Sequence, residues 1–135
     1  WYGDSNRPER RSNPDWPSEL LAIRERVQQE TNIHFNAVLL NLYRNGGDGV
    51  GWHSDKTSSS NKNMNIASAT FGETRMFRLR HKVRKQIPPI EIPLHHGTFL
   101  LMAGNTNTYW EQQVPKTARP VLPRINLTFR QVREA

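Results

Sequence analysis

The pattern of hydrophobic residues changes its period once along this chain, and that change most constrains the fold. Leu20, Ile23 and Val27 recur at helical spacing with charged residues between them. Because these positions share one face of a helix, they predict a single amphipathic helix, from Ser18 to about Thr31, that packs on a core. Asn32 is the expected stop of this helix.

After the helix, apolar residues occur in short runs or alternate with polar ones, which is typical of strands. The turn-forming residues Asn45 to Gly49 predict a loop, and the polar stretch Ser58 to Asn65 predicts an exposed one. No further helix is expected. One helix followed by about seven strands indicates an α+β, mainly β fold, in which the N-terminal helix backs a β-sandwich or barrel. The predicted strands are Ala37–Tyr43, Ile66–Phe71, Met76–Arg80, Ile90–Leu94, Thr98–Ala103, Tyr109–Val114 and Arg124–Val132.

The length of 135 residues favours a single domain over residues 1–135, with residues 1–15 as a polar, basic loop. The chain has no cysteine, which excludes disulfides and thiolate metal sites and favours a reducing compartment. No apolar run approaches the roughly 18 residues that a membrane span needs, and no signal peptide opens the chain. We therefore expect an intracellular protein, in the cytoplasm or nucleus, that is monomeric and does not bind membranes.

Charge gives the first indication of a partner. Lys and Arg number 19 against 12 Asp and Glu, a formal net charge of +7. A positive field of this size favours polyanions, most commonly nucleic acid, although many basic domains are merely soluble. Basic residues concentrate on one predicted strand and the hairpin after it, where they form either a ridge that contacts phosphates or a solvated edge strand whose charge blocks aggregation. These residues are Arg75, Arg78, Arg80, Lys82, Arg84 and Lys85.

His53 and Asp55 form the pair most suggestive of chemistry. Two residues apart on an extended segment, their side chains point to one face, where an imidazole and a carboxylate can bind the same cation. Such a pair supplies two corners of the facial triad that holds non-haem Fe(II) and leaves positions open for substrate and oxygen. A His two residues before an acid is common by chance, so the pair gains weight only from its context after a strand and a glycine-rich loop.

The last predicted strand carries polar and apolar residues in alternation from Arg124 to Arg130. If its polar face lines a barrel interior, a buried arginine there requires an anionic partner. Guanidinium groups bind carboxylates in a fork, which suits a dicarboxylate such as 2-oxoglutarate. The alternative is that this whole face is exposed to solvent.

Five motifs occur in the order Asn41-Leu42-Tyr43-Arg44-Asn45, Trp52-His53-Ser54-Asp55, Ala67-Ser68-Ala69-Thr70-Phe71-Gly72, His96-Gly97-Thr98, and Pro123 to Arg130. Together they resemble the AlkB family of Fe(II)- and 2-oxoglutarate-dependent dioxygenases that repair alkylated DNA and RNA, over roughly Trp16 to Val132. The resemblance implies a double-stranded β-helix (jelly-roll) barrel, with Fe(II) and 2-oxoglutarate as cofactors. It also implies oxidative dealkylation of N-alkylated bases in DNA or RNA, with single-stranded nucleic acid as the expected partner.

The resemblance also implies roles for individual residues. His53 and Asp55 become the catalytic pair and the first two iron ligands, and Arg124 pairs with the distal carboxylate of 2-oxoglutarate. The residues expected to line and hydrogen-bond the rest of this cosubstrate are Asn41, Tyr43, Asn126 and Arg130. The residues expected on the nucleic-acid side are Tyr2, Trp52, Lys56, Arg75, Arg78, Arg80 and Lys82.

Three departures from the family pattern bear on activity. Gln112 stands where the family has its third iron ligand, a histidine, and a neutral amide oxygen is a weaker ligand for Fe(II) than imidazole. Lys56 replaces an acid that in the family helps recognise a cationic alkylated base, and would repel such a base. Tyr2-Gly3-Asp4 resembles the start of the family's nucleotide-recognition lid, but a polar, basic run replaces the aromatic hairpin that should follow.

These departures leave two alternatives to a nucleic-acid dioxygenase. One is a catalytically inactive nucleic-acid-binding module on the same scaffold, and the other is a dioxygenase that acts on protein or a small molecule. The remaining histidines lie outside the iron motif and are predicted to be structural or on the surface. They are His34, His81, His95 and His96.

Overall fold

The computed structural model describes residues 2–3, 15–55 and 65–132, and within these ranges the chain forms nine strands and two helices. Every strand predicted from the sequence is present, with ends that differ by no more than two residues. In chain order the elements are β1 (Tyr2–Gly3), α1 (Ser18–Thr31), β2 (Ala37–Tyr43), β3 (Val50–His53), β4 (Ile66–Gly72), β5 (Arg75–His81), β6 (Ile90–Leu94), β7 (Thr98–Met102), α2 (Thr106–Tyr109), β8 (Trp110–Val114) and β9 (Arg124–Arg130).

The long helix has the predicted bounds. It ends where Asn32 takes a left-handed conformation, with φ of 57°, and its backbone N–H donates to the carbonyl of Gln28 at 2.8 Å. This hydrogen bond gives a partner to a carbonyl of the last turn that would otherwise have none. Leu20 and Val27, seven residues apart on one face of the helix, are both buried.

The strands form two antiparallel sheets. The larger has the order β1-β2-β9-β4-β7 and the smaller the order β3-β8-β5-β6. In the larger sheet β9 is central and pairs with β2 and β4 along its whole length. This mainly β architecture with one long N-terminal helix is the predicted jelly-roll arrangement. No helix in the described ranges is long and apolar enough to cross a lipid bilayer.

The larger sheet buries side chains on both of its faces. On one face Leu127 and Phe129 of β9 pack with Val38, Leu20 and Val27 beneath the helix. A second apolar cluster fills part of the space between the two sheets, with contributions from strands of each. Its members are Tyr43, Ile66, Phe77, Leu79, Leu94, Met102 and Val114. The polar residues of β9 face this same inter-sheet space, which therefore holds both an apolar core and a polar cavity.

Three local features differ from the sequence-based expectations. The chain does return to helix, because Thr106–Tyr109 form the one-turn helix α2, so the prediction of no further helix is wrong. The segment that carries His53 is itself a strand, Val50–His53, which pairs with β8. Finally, β5 lies between β8 and β6, so the interpretation of its charges as those of an edge strand is also wrong.

Candidate active site

A cavity of about 640 Å³ lies between the two sheets. It brings together residues from separate motifs of the sequence: the end of β3, the middle of β8 and the polar face of β9. Its lining includes His53, Asp55, Gln112, Arg124, Asn126 and Arg130. Asn41 and Tyr43 of β2 line it as well, directly across from Asn126 and Arg124 in the sheet.

His53 is oriented by its own backbone. Its Nδ1 lies 2.7 Å from the carbonyl oxygen of Gly51, and because a carbonyl can only accept, Nδ1 carries the proton. The lone pair of a neutral imidazole is then on Nε2, which lies 3.9 Å from Oδ1 of Asp55. Fixing one ring nitrogen in this way is how proteins prepare the other for a metal ion.

Asp55 is held in place by a residue that the sequence did not single out. The buried side chain of Asn107 accepts from the Asp55 backbone N–H at 2.8 Å and donates to the Asp55 carbonyl at 2.9 Å. Oδ1 of Asp55 lies 3.2 Å from Nη2 of Arg130. Oδ2 is buried and has no hydrogen-bond partner among the described residues, so it is available to a cation.

Gln112 lies directly opposite His53 in the β3–β8 ladder. Its Nε2 is 3.3 Å from Nε2 of His53, so the amide donates to the lone pair that a metal ion would use. The two ends of an amide have nearly the same shape, and a half-turn of the group presents Oε1 instead. No group of three or more His, Cys, Asp and Glu side chains suited to a metal occurs in the described ranges. The three side chains therefore fit a divalent cation, with His53 and Asp55 as strong ligands and Gln112 as a weak one.

Arg124 gives the clearest sign of an anionic ligand. It is 1% exposed, and its Nη2 donates to Thr70 Oγ1 at 3.1 Å and to Asn126 Oδ1 at 3.3 Å. Nε and Nη1 have no hydrogen-bond partner in the described part of the chain. Burial lowers the pKa of this guanidinium, and the electrostatic interaction with the Tyr43 hydroxyl partly offsets the shift. The ring centre of Tyr43 lies 4.9 Å from the guanidinium carbon. A buried guanidinium with two nitrogens that lack partners among the described residues fits a carboxylate ligand.

The rest of the polar face of β9 is preorganised by hydrogen bonds among its neighbours. Oδ1 of Asn126 accepts from Ser68 at 2.6 Å, and its Nδ2 donates to Thr128 at 2.9 Å. Asn126 and Thr128 are each 8% exposed, so the alternative that this face lies in solvent is wrong. The inward face of β9 instead presents a ready polar wall to a ligand.

Arg75 does not belong to the basic surface on which the sequence placed it. The side chain is 3% exposed and donates to three backbone carbonyls, those of Asn45 at 3.3 Å, Asp48 at 2.9 Å and Pro115 at 2.9 Å. These bonds join the glycine-rich loop to the end of β8. The prediction that Arg75 contacts nucleic acid is therefore wrong, because its donors are already used inside the protein.

Arg78 and Arg80 do lie on the outer face of the smaller sheet, where both stack on Trp52. Their guanidinium carbons are 5.3 Å and 4.3 Å from the centre of its ring. Each also forms an ion pair, Arg78 with Glu91 at 3.1 Å and Arg80 with Glu111 at 3.2 Å. The acids reduce the positive charge of this face, which is less basic than the sequence alone indicates.

The other predicted nucleic-acid contacts fall into two groups. Lys82 is exposed on the loop after β5, with Nζ 3.5 Å from the carbonyl of Asn107. Tyr2 is described only as backbone, paired with Val38 in the larger sheet. Lys56 lies outside the described residues, as do residues 4–14 of the predicted lid.

None of the four remaining histidines lines the cavity. His96 accepts from the Gly72 N–H at 2.8 Å, and His95 lies 3.1 Å from the Thr74 hydroxyl. His81 accepts from two backbone N–H groups of the following loop, and His34 is exposed. These positions agree with structural or surface roles.

Comparison with known proteins identifies the family. A family model described as the 2OG-Fe(II) oxygenase superfamily matches residues 2–130. The chain belongs to this superfamily. A solved structure titled "The structure of OsALKBH1" superposes with a TM-score of 0.62 at 19% identity, over 84% of this chain and 60% of that one, which supports the fold.

The curated relatives confirm the resemblance to the AlkB family. The chain is 41% identical to alpha-ketoglutarate-dependent dioxygenase alkB homolog 3 of Bos taurus, over 98% of this chain and 50% of that protein. The human protein of the same name is 40% identical over the same shares. DNA oxidative demethylase ALKBH2 of Mus musculus is 37% identical over 87% of this chain and 52% of its own length. The chain thus spans about half the length of the curated relatives it matches.

Proposed function

We propose that this chain is an AlkB-like Fe(II)- and 2-oxoglutarate-dependent dioxygenase that removes alkyl groups from N-alkylated bases of DNA or RNA. The observation that carries the proposal is Arg124, a buried guanidinium whose Nε and Nη1 have no hydrogen-bond partner among the described residues, in the cavity that also holds His53 and Asp55. An anion site beside an imidazole–carboxylate pair is the arrangement that an oxidase using a dicarboxylate cosubstrate requires. The names of its relatives, a dioxygenase and a DNA demethylase, support the same activity.

His53, Asp55 and Gln112 would hold the iron, which, once bound with 2-oxoglutarate, supplies the oxidation of the alkyl carbon by O₂. Arg124 would bind the distal carboxylate of the cosubstrate through the nitrogens that have no partner among the described residues. Arg130, 3.2 Å from Oδ1 of Asp55, limits the motion of the Asp55 carboxylate and leaves its Oδ2 without a partner among the described residues.

The neighbours of these residues exclude water and fix the geometry. Thr70 and Asn126 hold one end of the Arg124 fork, so that its remaining donors keep one direction. The ring of Tyr43 covers the guanidinium, which strengthens each remaining hydrogen bond by lowering the local dielectric. Preorganisation of this kind reduces the entropy lost when the cosubstrate binds.

We further propose a single-stranded nucleic acid as the substrate and a monomer as the working form. The formal charge of +7 supports a polyanionic partner. A base without a pairing partner enters a cavity between two sheets at less cost than one that must first be flipped from a duplex. Oligonucleotides of one strand and two strands carrying the same methylated base would compare these substrates directly, and size-exclusion chromatography with light scattering would give the mass.

The test is succinate formation from 2-oxoglutarate with Fe(II) and an N1-methyladenine single-stranded oligonucleotide, with loss of the methyl group followed by mass spectrometry. The unaltered chain, Gln112→His and the matched control Arg124→Met are compared. Demethylation by the unaltered chain that Arg124→Met abolishes supports the proposal. Demethylation by Gln112→His alone means that the scaffold is competent but the natural chain is silenced at one position.

A second function, a non-catalytic nucleic-acid-binding module, is favoured by one observation. The amide of Gln112 donates to Nε2 of His53, the atom on which metal binding most depends. If neither the unaltered chain nor Gln112→His forms succinate, while both bind oligonucleotide in a salt-dependent way, this second function replaces the first.

A further inference from the structure

An exposed aromatic pair lies beside the predicted metal-binding edge of the cavity. Tyr109 ends α2 and is 50% exposed, although it is a large aromatic residue. Its ring is parallel to that of His81, with 6° between the planes and 6.3 Å between the ring centres. Tyr109 thus presents an aromatic ring to solvent, backed by the half-buried ring of His81. We call Tyr109 and His81 the aromatic pair.

The His81 ring is held rigidly. Its Nδ1 accepts from the backbone N–H groups of Val83 at 3.1 Å and Arg84 at 2.8 Å, so the ring proton is on Nε2. The edge of Trp110 meets it at 76°, with the ring centres 5.2 Å apart. A rigid ring loses little conformational entropy when another ring packs on the pair, which makes it a good platform for a flat ligand.

Positive charge surrounds the aromatic pair. The loop from His81 to Pro89 carries three basic residues, Lys82, Arg84 and Lys85, and no acid. Lys82 donates from its backbone N–H to the Tyr109 carbonyl at 2.8 Å, and Nζ of Lys85 is 3.3 Å from the His81 carbonyl. Charges that are fixed beside a stacking surface are what a polyanion with flat bases requires.

The aromatic pair is connected to the metal-binding residues through a short path. Asn107, two residues before Tyr109, makes both hydrogen bonds to the backbone of Asp55. Ser54 adds a third link, from its hydroxyl to the Trp110 carbonyl at 2.7 Å. The segment that carries Tyr109 is therefore hydrogen-bonded directly to the segment that carries His53 and Asp55.

We propose that Tyr109 and His81 form a stacking site for an unpaired base that neighbours the target base, and that Lys82 and Lys85 contact the phosphates beside it. This inference rests on the proposed nucleic-acid substrate. The stacking contact does not depend on Fe(II) or 2-oxoglutarate, so its contribution to binding can be measured in their absence. Base stacking on an aromatic side chain contributes about 5- to 150-fold in affinity per base.

The experiment measures binding of a fluorescein-labelled, unmodified single-stranded oligonucleotide by anisotropy at several salt concentrations. The full chain is compared with Tyr109→Ala, Tyr109→Leu and Tyr109→Phe, and Leu122→Ala serves as a control at another exposed apolar residue, 72% exposed. We expect affinity to fall by about 5-fold or more for the alanine and leucine variants, and to stay within about 2-fold for the phenylalanine variant and the control. Lys82→Gln is expected to reduce the salt slope by about 0.7.

An oligonucleotide with an abasic backbone isolates stacking from charge. On it, the Tyr109→Ala and unaltered chains are expected to bind equally, because no base remains to stack. Circular dichroism of each variant checks the fold, and the leucine variant retains apolar bulk if alanine unfolds the helix end. Equal binding of unmodified oligonucleotide by the unaltered, alanine and leucine chains overturns the stacking site and leaves the proposed function standing. No binding by the unaltered chain overturns the stacking site and leaves the proposed function to the succinate assay, and capture of a protein partner by this surface instead of nucleic acid also overturns the stacking site.

Discussion

Arg124→Met is expected to stabilise the ligand-free protein by about 1 kcal/mol, although it removes a buried side chain with two hydrogen bonds. The effective cost of burying an ion after relaxation is about 5 kcal/mol. The bonds from Nη2 to Thr70 and Asn126 return about 3 kcal/mol. Stacking on the ring of Tyr43 returns roughly 1 kcal/mol more. The balance is slightly unfavourable, in agreement with the lowered pKa of this arginine.

The same substitution is expected to remove most of the stabilisation that 2-oxoglutarate provides. Charge-assisted hydrogen bonds from the guanidinium to a carboxylate contribute roughly 3 kcal/mol of binding free energy, or about 150-fold in Kd. At a ligand concentration 100 times the Kd of the unaltered chain, binding adds about 2.7 kcal/mol to the free energy of unfolding. In the methionine variant the same concentration should add only about 0.3 kcal/mol.

Urea unfolding followed by Trp fluorescence, with Mn(II) and with or without 2-oxoglutarate, measures both effects. Arg75→Met is the matched control, because Arg75 is equally buried but its donors reach three carbonyls. Its three bonds to carbonyls offset the cost of about 5 kcal/mol for burying the charge, so removing Arg75 mainly leaves three carbonyls without partners, and we expect a loss of about 3 kcal/mol. The reasoning is refuted if Arg124→Met destabilises the ligand-free protein as much as Arg75→Met, or if 2-oxoglutarate stabilises the Arg124 variant fully.

Three further predictions concern the metal-binding residues and the loop beside them. Gln112→His should bind Mn(II) about 10- to 100-fold more tightly in isothermal titration, since imidazole replaces a neutral amide, and equal affinities would exclude Gln112 from the ligand position. Asn107→Ala should lower the free energy of unfolding by about 2 kcal/mol and weaken Mn(II) binding, because the backbone of Asp55 loses two hydrogen bonds; unchanged Mn(II) affinity would limit Asn107 to a structural role. Hydrogen bonds from Arg44 hold the pKa of Asp48 well below its usual value, so the ionised Asp48 stabilises the fold above its unfolded pKa, and this contribution is lost as pH falls. In urea unfolding at pH values from 6 to 2, the free energy of unfolding should therefore fall less steeply for Asp48→Asn than for the unaltered chain. Parallel curves for the two chains would refute this.

The sequence predicted those parts of the fold in which local pattern and packing agree. The hydrophobic period of α1 and the polar–apolar alternation of β9 both reflect which face is buried. In β9, Leu127 and Phe129 pack on one face, so the prediction that Arg124 points into the barrel from the other face was correct. Alternation also places Arg75 on the same side as Phe77, inside the barrel. The charge of Arg75 indicated a surface position instead. Its partners inside the protein are three backbone carbonyls, and backbone groups cannot be recognised from the sequence.

Asn107 shows a different limit of sequence reasoning. It lies in the polar segment Asn105 to Thr108, where nothing distinguishes it from neighbouring Asn and Thr residues. Its partner is the backbone of Asp55, far away in sequence, and backbone groups are the same at every residue. Only the pairing of β3 with β8, which depends on the whole barrel, brings the two segments together.

The ion pair between Arg130 and Asp55 sets the electrostatic balance of the whole cavity. It neutralises the one carboxylate of the proposed ligand set, and Arg44 pairs with Asp48, so Arg124 and Lys116 leave the charged side chains that line the cavity with two net positive charges. A divalent cation therefore enters against repulsion. A dianionic cosubstrate cancels the charge that the cation adds. Metal and 2-oxoglutarate should therefore each increase the affinity of the other, by the same factor.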